Sequence, residues 1–245
     1  MALLLPFLAE RASSQEAKVL HVAAAADLQP VLPTLAADYE KQTGVKIVAS
    51  FGSSATLTQQ ITNGDPQDAF LSADTMHPQQ LVTAGLATGM VQYARGALVL
   101  WARTDSPAQP ISMASLTSDK VTKIAVANDL HAPYGLAATS ALKSLGLYDK
   151  VKRKLVVGEN ISQTAQFALT GNAQVGLISL TIASSKAYRD AGSFVAVPKV
   201  YAEIRQSGVV VAASKQQAAA RAFLVWLTSD AVQKRLPGFG LEAAK

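Results

Sequence analysis

Residues 19–74 read VLHVAAAADLQPVLPTLAADYEKQTGVKIVASFGSSATLTQQITNGDPQDAFLSAD. Val19–Ala26 is apolar and continuous, as a strand buried on both faces of a parallel sheet should be. Asp27 follows as a candidate helix cap, and Leu28, Val31, Leu32, Leu35 and Tyr39 recur at helical spacing. Pro30 and Pro33 fit such a helix only near its first turn, where a missing N–H costs little. Gly44 ends it, and residues 45–51 form a second strand. Gly52-Ser53-Ser54 opens a second helix carrying Leu57 and Ile61, which Asn63-Gly64 stops. Residues 69–73 form a third strand. The order βαβαβ is the unit of a doubly wound sheet.

The rest of the chain repeats the pattern. Strands are expected at 97–102, 123–127, 154–157, 175–180 and 208–212, with helices from Ala132-Pro133-Tyr134-Gly135 to Gly146 and over 161–169. A last helix is expected from about 215 to 236, with Ala220, Phe223, Leu224, Leu227 and Ala231 on its apolar face. The expected architecture is α/β, two doubly wound lobes joined by hinge strands. Extended segments near 93–103 and 200–211 are the candidate crossings. That assigns residues 18–94 and 209–245 to lobe 1, 95–208 to lobe 2, and 1–17 to a signal-like or disordered N-terminus. No internal sequence repeat is evident.

Composition narrows the function. The 245 residues hold no Cys, which excludes thiolate metal sites, disulfides and a Cys nucleophile. Net charge is +5, yet the basic residues are scattered apart from Lys150, Lys152, Arg153 and Lys154, which read as a solvated turn. A nucleic-acid binder should show a basic stripe with interleaved aromatics, and none is evident. His21, expected in a strand, His77, expected in a polar loop, and His131 lack metal-ligand spacing. Trp101 and Trp226 read as core. The start, MALLLPFL, resembles a secretory signal without its basic end and is too short to span a membrane. None of the short enzyme motifs GxSxG, HExxH or GxxxxGK[ST] occurs, and no cofactor is implied.

Four strand-to-helix junctions share a character: Ala25-Ala26-Asp27, Gly52-Ser53-Ser54, Pro133-Tyr134-Gly135 and Asn160-Ile161-Ser162. Each sets backbone N–H groups at a helix start, where the partial positive charge favours an anion. Ser53 and Ser54 add hydroxyls, and no Lys or Arg sits at any of the four. Such neutral donors suit a small ionised oxyanion that must be held and released. Singly, each junction is also an ordinary cap, since Ser, Asn and Asp are preferred there.

The segment 22–74, the strand Asp68-Ala69-Phe70-Leu71-Ser72-Ala73-Asp74, and the later IAVANDLHAPYGLAATSALKSLGL and VVGENISQTAQFALTGNAQVGLIS together resemble the periplasmic molybdate-binding proteins of bacterial ABC importers. The resemblance runs from Val19 to about Leu236. It implies a type II periplasmic binding fold that closes on molybdate or tungstate, works with a membrane permease, and is a periplasmic monomer without enzymatic activity. It also implies ligand contacts at Asp27, Ser54, Tyr134 and Ile161, with Ala26, Ser53 and Ser179 as further positions. Ser179 stands where that family has a Tyr. Asp27 stands where it has Ser or Asn, and a carboxylate about 4 Å from a dianion would be repelled by several kcal/mol at an effective dielectric near 20. Three resolutions are open. Asp27 turns away to cap its own helix, it binds protonated, or the ligand is another oxyanion, such as phosphate or sulfate, or an organic anion.

Overall fold

A computed structural model describes residues 18–244; the signal-like segment expected at 1–17 lies outside them. The first lobe opens with β1 (Val19–Ala25), a 3₁₀ turn (Ala26–Leu28), α1 (Leu32–Thr43), β2 (Lys46–Gly52), α2 (Ser54–Thr62), β3 (Ala69–Ser72), α3 (Met76–Thr83) and β4 (Ala87–Gly96). The second contains β5 (Leu98–Arg103), β6 (Ile124–Ala127), α4 (Pro133–Ser144), α5 (Tyr148–Val151), β7 (Leu155–Gly158), α6 (Ile161–Leu169), β8 (Val175–Ser179), α7 (Leu180–Ala183), α8 (Lys186–Ala191) and β9 (Gly192–Ala196). The chain then returns through β10 (Ile204–Val211), α9 (Gln217–Leu227) and α10 (Asp230–Gln233).

Two five-stranded sheets result, ordered β2-β1-β3-β10-β4 and β7-β6-β8-β5-β9. In each, a central strand runs parallel to two neighbours, while the crossing strand is antiparallel to both of its own. The lobes thus share a topology without a sequence repeat. β4 and β10 pair with each other from Ile204↔Gly96 to Val211↔Ala87. The boundaries expected at 94/95 and 208/209 fall inside these two strands; the pairing puts the change of lobe at 97 and near 203 instead. At the crossings the Leu98 N–H donates to the Tyr201 hydroxyl at 3.0 Å, and the Leu180 N–H to the Ala97 carbonyl at 2.9 Å.

Each first-lobe sheet face has its own core. Leu20, Val22 and Ala24 face α1 and α9 through Leu32, Leu35, Tyr39, Phe223 and Leu224. Ala23 and Phe70 face α2 and α3 through Leu57, Ile61 and Leu81. Three local expectations change. The last helix breaks at Thr228, so Ala231 is exposed and Val232 is buried in its place. His77 is buried in α3, with Nδ1 2.6 Å from Asp74 Oδ2, rather than in a loop. Trp101 is fully buried, but Trp226 is only partly so and donates to Gln42.

Phe223 is fully buried and meets the Tyr39 ring edge-on at 5.1 Å. Phe223→Ala should cost about 3–5 kcal/mol through lost burial and the cavity left behind, read as a lower urea midpoint with an unchanged slope.

Candidate functional site

All four junctions meet at one cleft between the lobes. It is lined by Ala25, Ala26, Asp27, Gly52, Ser53, Ser54, Ala73, Ala132, Pro133, Tyr134, Asn160 and Ile161. The helices α2, α4 and α6 all start at its wall, and the N–H groups of a helix's first turn have no acceptor inside the helix. Tyr134 and Ile161 lie in those first turns. Ser53 caps α2 by accepting the Thr56 N–H at 3.2 Å, and Asn160 caps α6 by accepting the Gln163 N–H at 3.0 Å. The Ser54 hydroxyl accepts the Ala73 N–H at 3.2 Å, which leaves its proton to be donated. Among the described residues, no Lys, Arg or His lines the cavity.

Asp27 does not cap its helix. The cap of the 3₁₀ turn is Ala25, with no side-chain bond, and the Asp27 carboxylate instead joins three parts of the molecule. Its Oδ2 accepts the Tyr134 hydroxyl of the second lobe at 3.2 Å and the Gln206 amide of β10 at 2.5 Å, while Gln206 also donates to the Tyr134 oxygen at 3.2 Å. The capping expectation fails because the side chain turns instead to the Tyr134 hydroxyl and the Gln206 amide, which reach it from the second lobe and from β10. Asp27 Oδ1 and Gln206 Oε1 are buried without a partner. Burial strips the carboxylate of water and pushes its pKa up to about 7, against the lowering effect of Gln206, Tyr134 and its own backbone N–H. Burial, followed by the Asp27 charge, raises the Tyr134 and Tyr93 hydroxyls well above the usual range.

The lobes are closed on one another. The Ala55 N–H donates to the His131 carbonyl at 3.1 Å, and Ser162 Oγ reaches both the Ala26 carbonyl, at 3.0 Å, and Gln29 Oε1, at 2.8 Å.

Comparison with known proteins fits this geometry. Residues 20–242 match the family model described as bacterial extracellular solute-binding protein. This chain belongs to that family. Among its relatives, it is 35% identical to the molybdate-binding protein ModA of Azotobacter vinelandii, over 94% of this chain and 92% of that one. It is also 35% identical to the ModA of Rhodobacter capsulatus, covering 86% and 83% of the two chains. The structure of the Azotobacter vinelandii periplasmic molybdate-binding protein superposes with a TM-score of 0.84 at 31% identity, covering 92% of this chain and all of that one. Two mixed α/β lobes are the shared fold.

In this solute-binding protein the cavity wall includes Ala26, Asp27, Ser53, Ser54, Tyr134 and Ile161. Ser179 is not in that wall. It caps α7, accepting the Ile182 N–H and bonding Thr181 at 2.8 Å. Sequence reading misses Gln206 and Gly96. Gln206 sits in a polar run that gives no inward signal. A register shift beside it, where Tyr93 of β4 has no partner opposite, leaves Gln206 and Ser207 both buried. Gly96 makes room for Tyr134, since a Cβ there would lie 2.1 Å from the Tyr134 oxygen. Among the described residues no helix is long and apolar enough to cross a membrane.

Two outcomes follow for the ligand-free protein. The folded pKa of Asp27, about 7, lies above its ordinary 3.8, so folding holds a proton that the unfolded chain releases. That stabilisation is full below pH 3.8 and is lost as pH rises through 7. Calorimetry should show Tm falling from about pH 4 to pH 7 and levelling off above it. Asp27→Asn should remove most of that slope and raise stability at pH 8 by at most about 4 kcal/mol. Gly96→Ala should cost about 1–3 kcal/mol of stability through overpacking against the buried Tyr134, read as a lower urea midpoint.

Proposed function

We propose that this chain captures molybdate, and tungstate with it, in the cavity between its lobes, and delivers it to the permease of an ABC importer. The observation that carries this reading is the convergence of three helix starts and the Ser53 and Ser54 hydroxyls on one cavity without a cation. Neutral donors hold a dianion without binding it irreversibly, because partial charges at helix starts are each worth only about 0.3–2 kcal/mol. The molybdate-binding relatives support the choice of ion.

The roles follow from the geometry. Tyr134 and Ile161 offer backbone N–H groups, Ser54 donates its hydroxyl, and Ala26 and Ser53 shape the wall, while Asp27 sets what the wall admits. Ser179 holds α7 and stays outside the contact set. Closure is a hinge motion about the crossings at 97 and near 203, and it buries the anion among donors from both lobes. The protein works as a periplasmic monomer, without a cofactor and without catalysis. A second reading is favoured by one observation: the unpartnered Oδ1 of Asp27 is an acceptor, and an acceptor suits a protonated oxyanion such as hydrogen phosphate.

Isothermal titration calorimetry of dialysed protein with molybdate, tungstate, sulfate and phosphate separates these readings. One-to-one binding of molybdate and tungstate alone is the expected result; binding of phosphate alone transfers the site to the second reading. Ser54→Ala should weaken molybdate binding by roughly 10–100-fold, the worth of one hydrogen bond to a charged group, while leaving the melting temperature within a few degrees.

A further inference from the structure

We propose that Asp27 makes oxyanion capture proton-coupled: each anion enters together with one proton, which sits on Asp27 Oδ1 and turns that oxygen from an acceptor into a donor facing the anion. The inference rests on the reading of the cavity as an oxyanion site. Its own support is the arrangement of the carboxylate. Oδ2 already accepts two donors, from Tyr134 and Gln206. Oδ1 is fully buried, belongs to a residue of the cavity wall, and has no partner. It is therefore the oxygen left to carry a proton.

Among the described residues, no side-chain cation stands beside Asp27 to take the place of that proton. The 3₁₀ turn packs against α6, α7 and β2. The first two carry no ionisable side chain, and Lys46 of β2 lies at the opposite end of its strand, opposite Val19. Tyr134 reaches in from α4 and Tyr93 faces from β4, with Asp74 beyond it. These three are neutral or negative. Arg95 of β4 is turned to Glu203, Glu242 and the Ala243 carbonyl, and Arg205 of β10 is exposed and held by Glu203. An ionised Asp27 would thus meet the anion charge against charge, with only the partial charges of the helix starts and neutral donors to offset them. Burial already biases the carboxyl toward its neutral form, and an incoming anion biases it further.

The chemistry balances simply: carboxylate, proton from solvent and dianion combine into a neutral acid hydrogen-bonded to the dianion, and release reverses the step. Affinity then falls about tenfold for each pH unit above the pKa of the free site. Exposure to a more acidic medium favours loading, and a more alkaline one favours release.

The test is calorimetric titration of the full chain with molybdate in two buffers of unlike ionisation enthalpy, from pH 6 to pH 9. The expected result is uptake of about one proton per anion at pH 8 and much less at pH 6, with affinity falling across the alkaline range. Asp27→Asn, which keeps the shape and removes the charge, should bind with no uptake, with flat pH dependence, and more tightly than the parent at pH 8. Infrared difference spectra on adding molybdate at pH 8 should show a protonated-carboxyl band in the parent that is absent from Asp27→Asn. Molybdate binding without proton uptake overturns the coupling and leaves the molybdate reading standing. Binding of hydrogen phosphate without uptake also overturns it, because Asp27 then stays ionised and accepts the ligand's own proton. No binding of any of the anions by either protein overturns both.

Discussion

The N–H groups in the first turn of a helix need acceptors from outside the helix, and in this protein three helices begin at the same cleft between the lobes. The lining offers few acceptors of its own, so the first-turn N–H groups there are under-supplied. Side chains answer part of the demand: Ser53 and Asn160 each take one N–H of their own helix. On the proposed reading, the remainder is what receives the anion. Selectivity for charge would then come from backbone geometry, and the residues at these positions need only be small enough, or suitably capped, to let the backbone face inward.

Asp27 runs against that logic, and the structure accommodates it by giving the carboxylate donors of its own. Tyr134 and Gln206 hold one oxygen, and Gly96 leaves the space in which the Tyr134 hydroxyl can do so. These residues belong to the second lobe and to both hinge strands. The carboxylate is thus where the two lobes and the crossings meet, and its protonation state is felt by all of them. A Ser or Asn at the same position would have no such dependence on pH.

The crossings explain how one chain builds two lobes that can close. β4 and β10 stay paired along their length in the first sheet, so the bending positions are confined to the short connections on either side of them. Tyr201 and Ala97 tie those connections to the second lobe. The ion pairs around Arg95, Glu203 and Glu242 lie at partly exposed positions, where such pairs contribute little to stability. Packing and backbone pairing hold the hinge.

By itself the sequence determined the alternation of strands and helices, because apolar runs, helical spacing and Gly or Asn stops are local signals that do not depend on distant residues. It also determined which strand ends open into helices, and so Ser54, Tyr134 and Ile161 could be named from the junctions and the family likeness. Where the signal was not local, the sequence was silent or misleading. The break at Thr228 turned Ala231 outward, a register shift between β4 and β10 turned Gln206 inward, and Ser179 went to cap α7. The partners of Asp27 lie 107 and 179 residues away along the chain. Only the tertiary structure could bring them together, because a buried carboxylate is defined by what surrounds it in space, and no spacing along the chain encodes that.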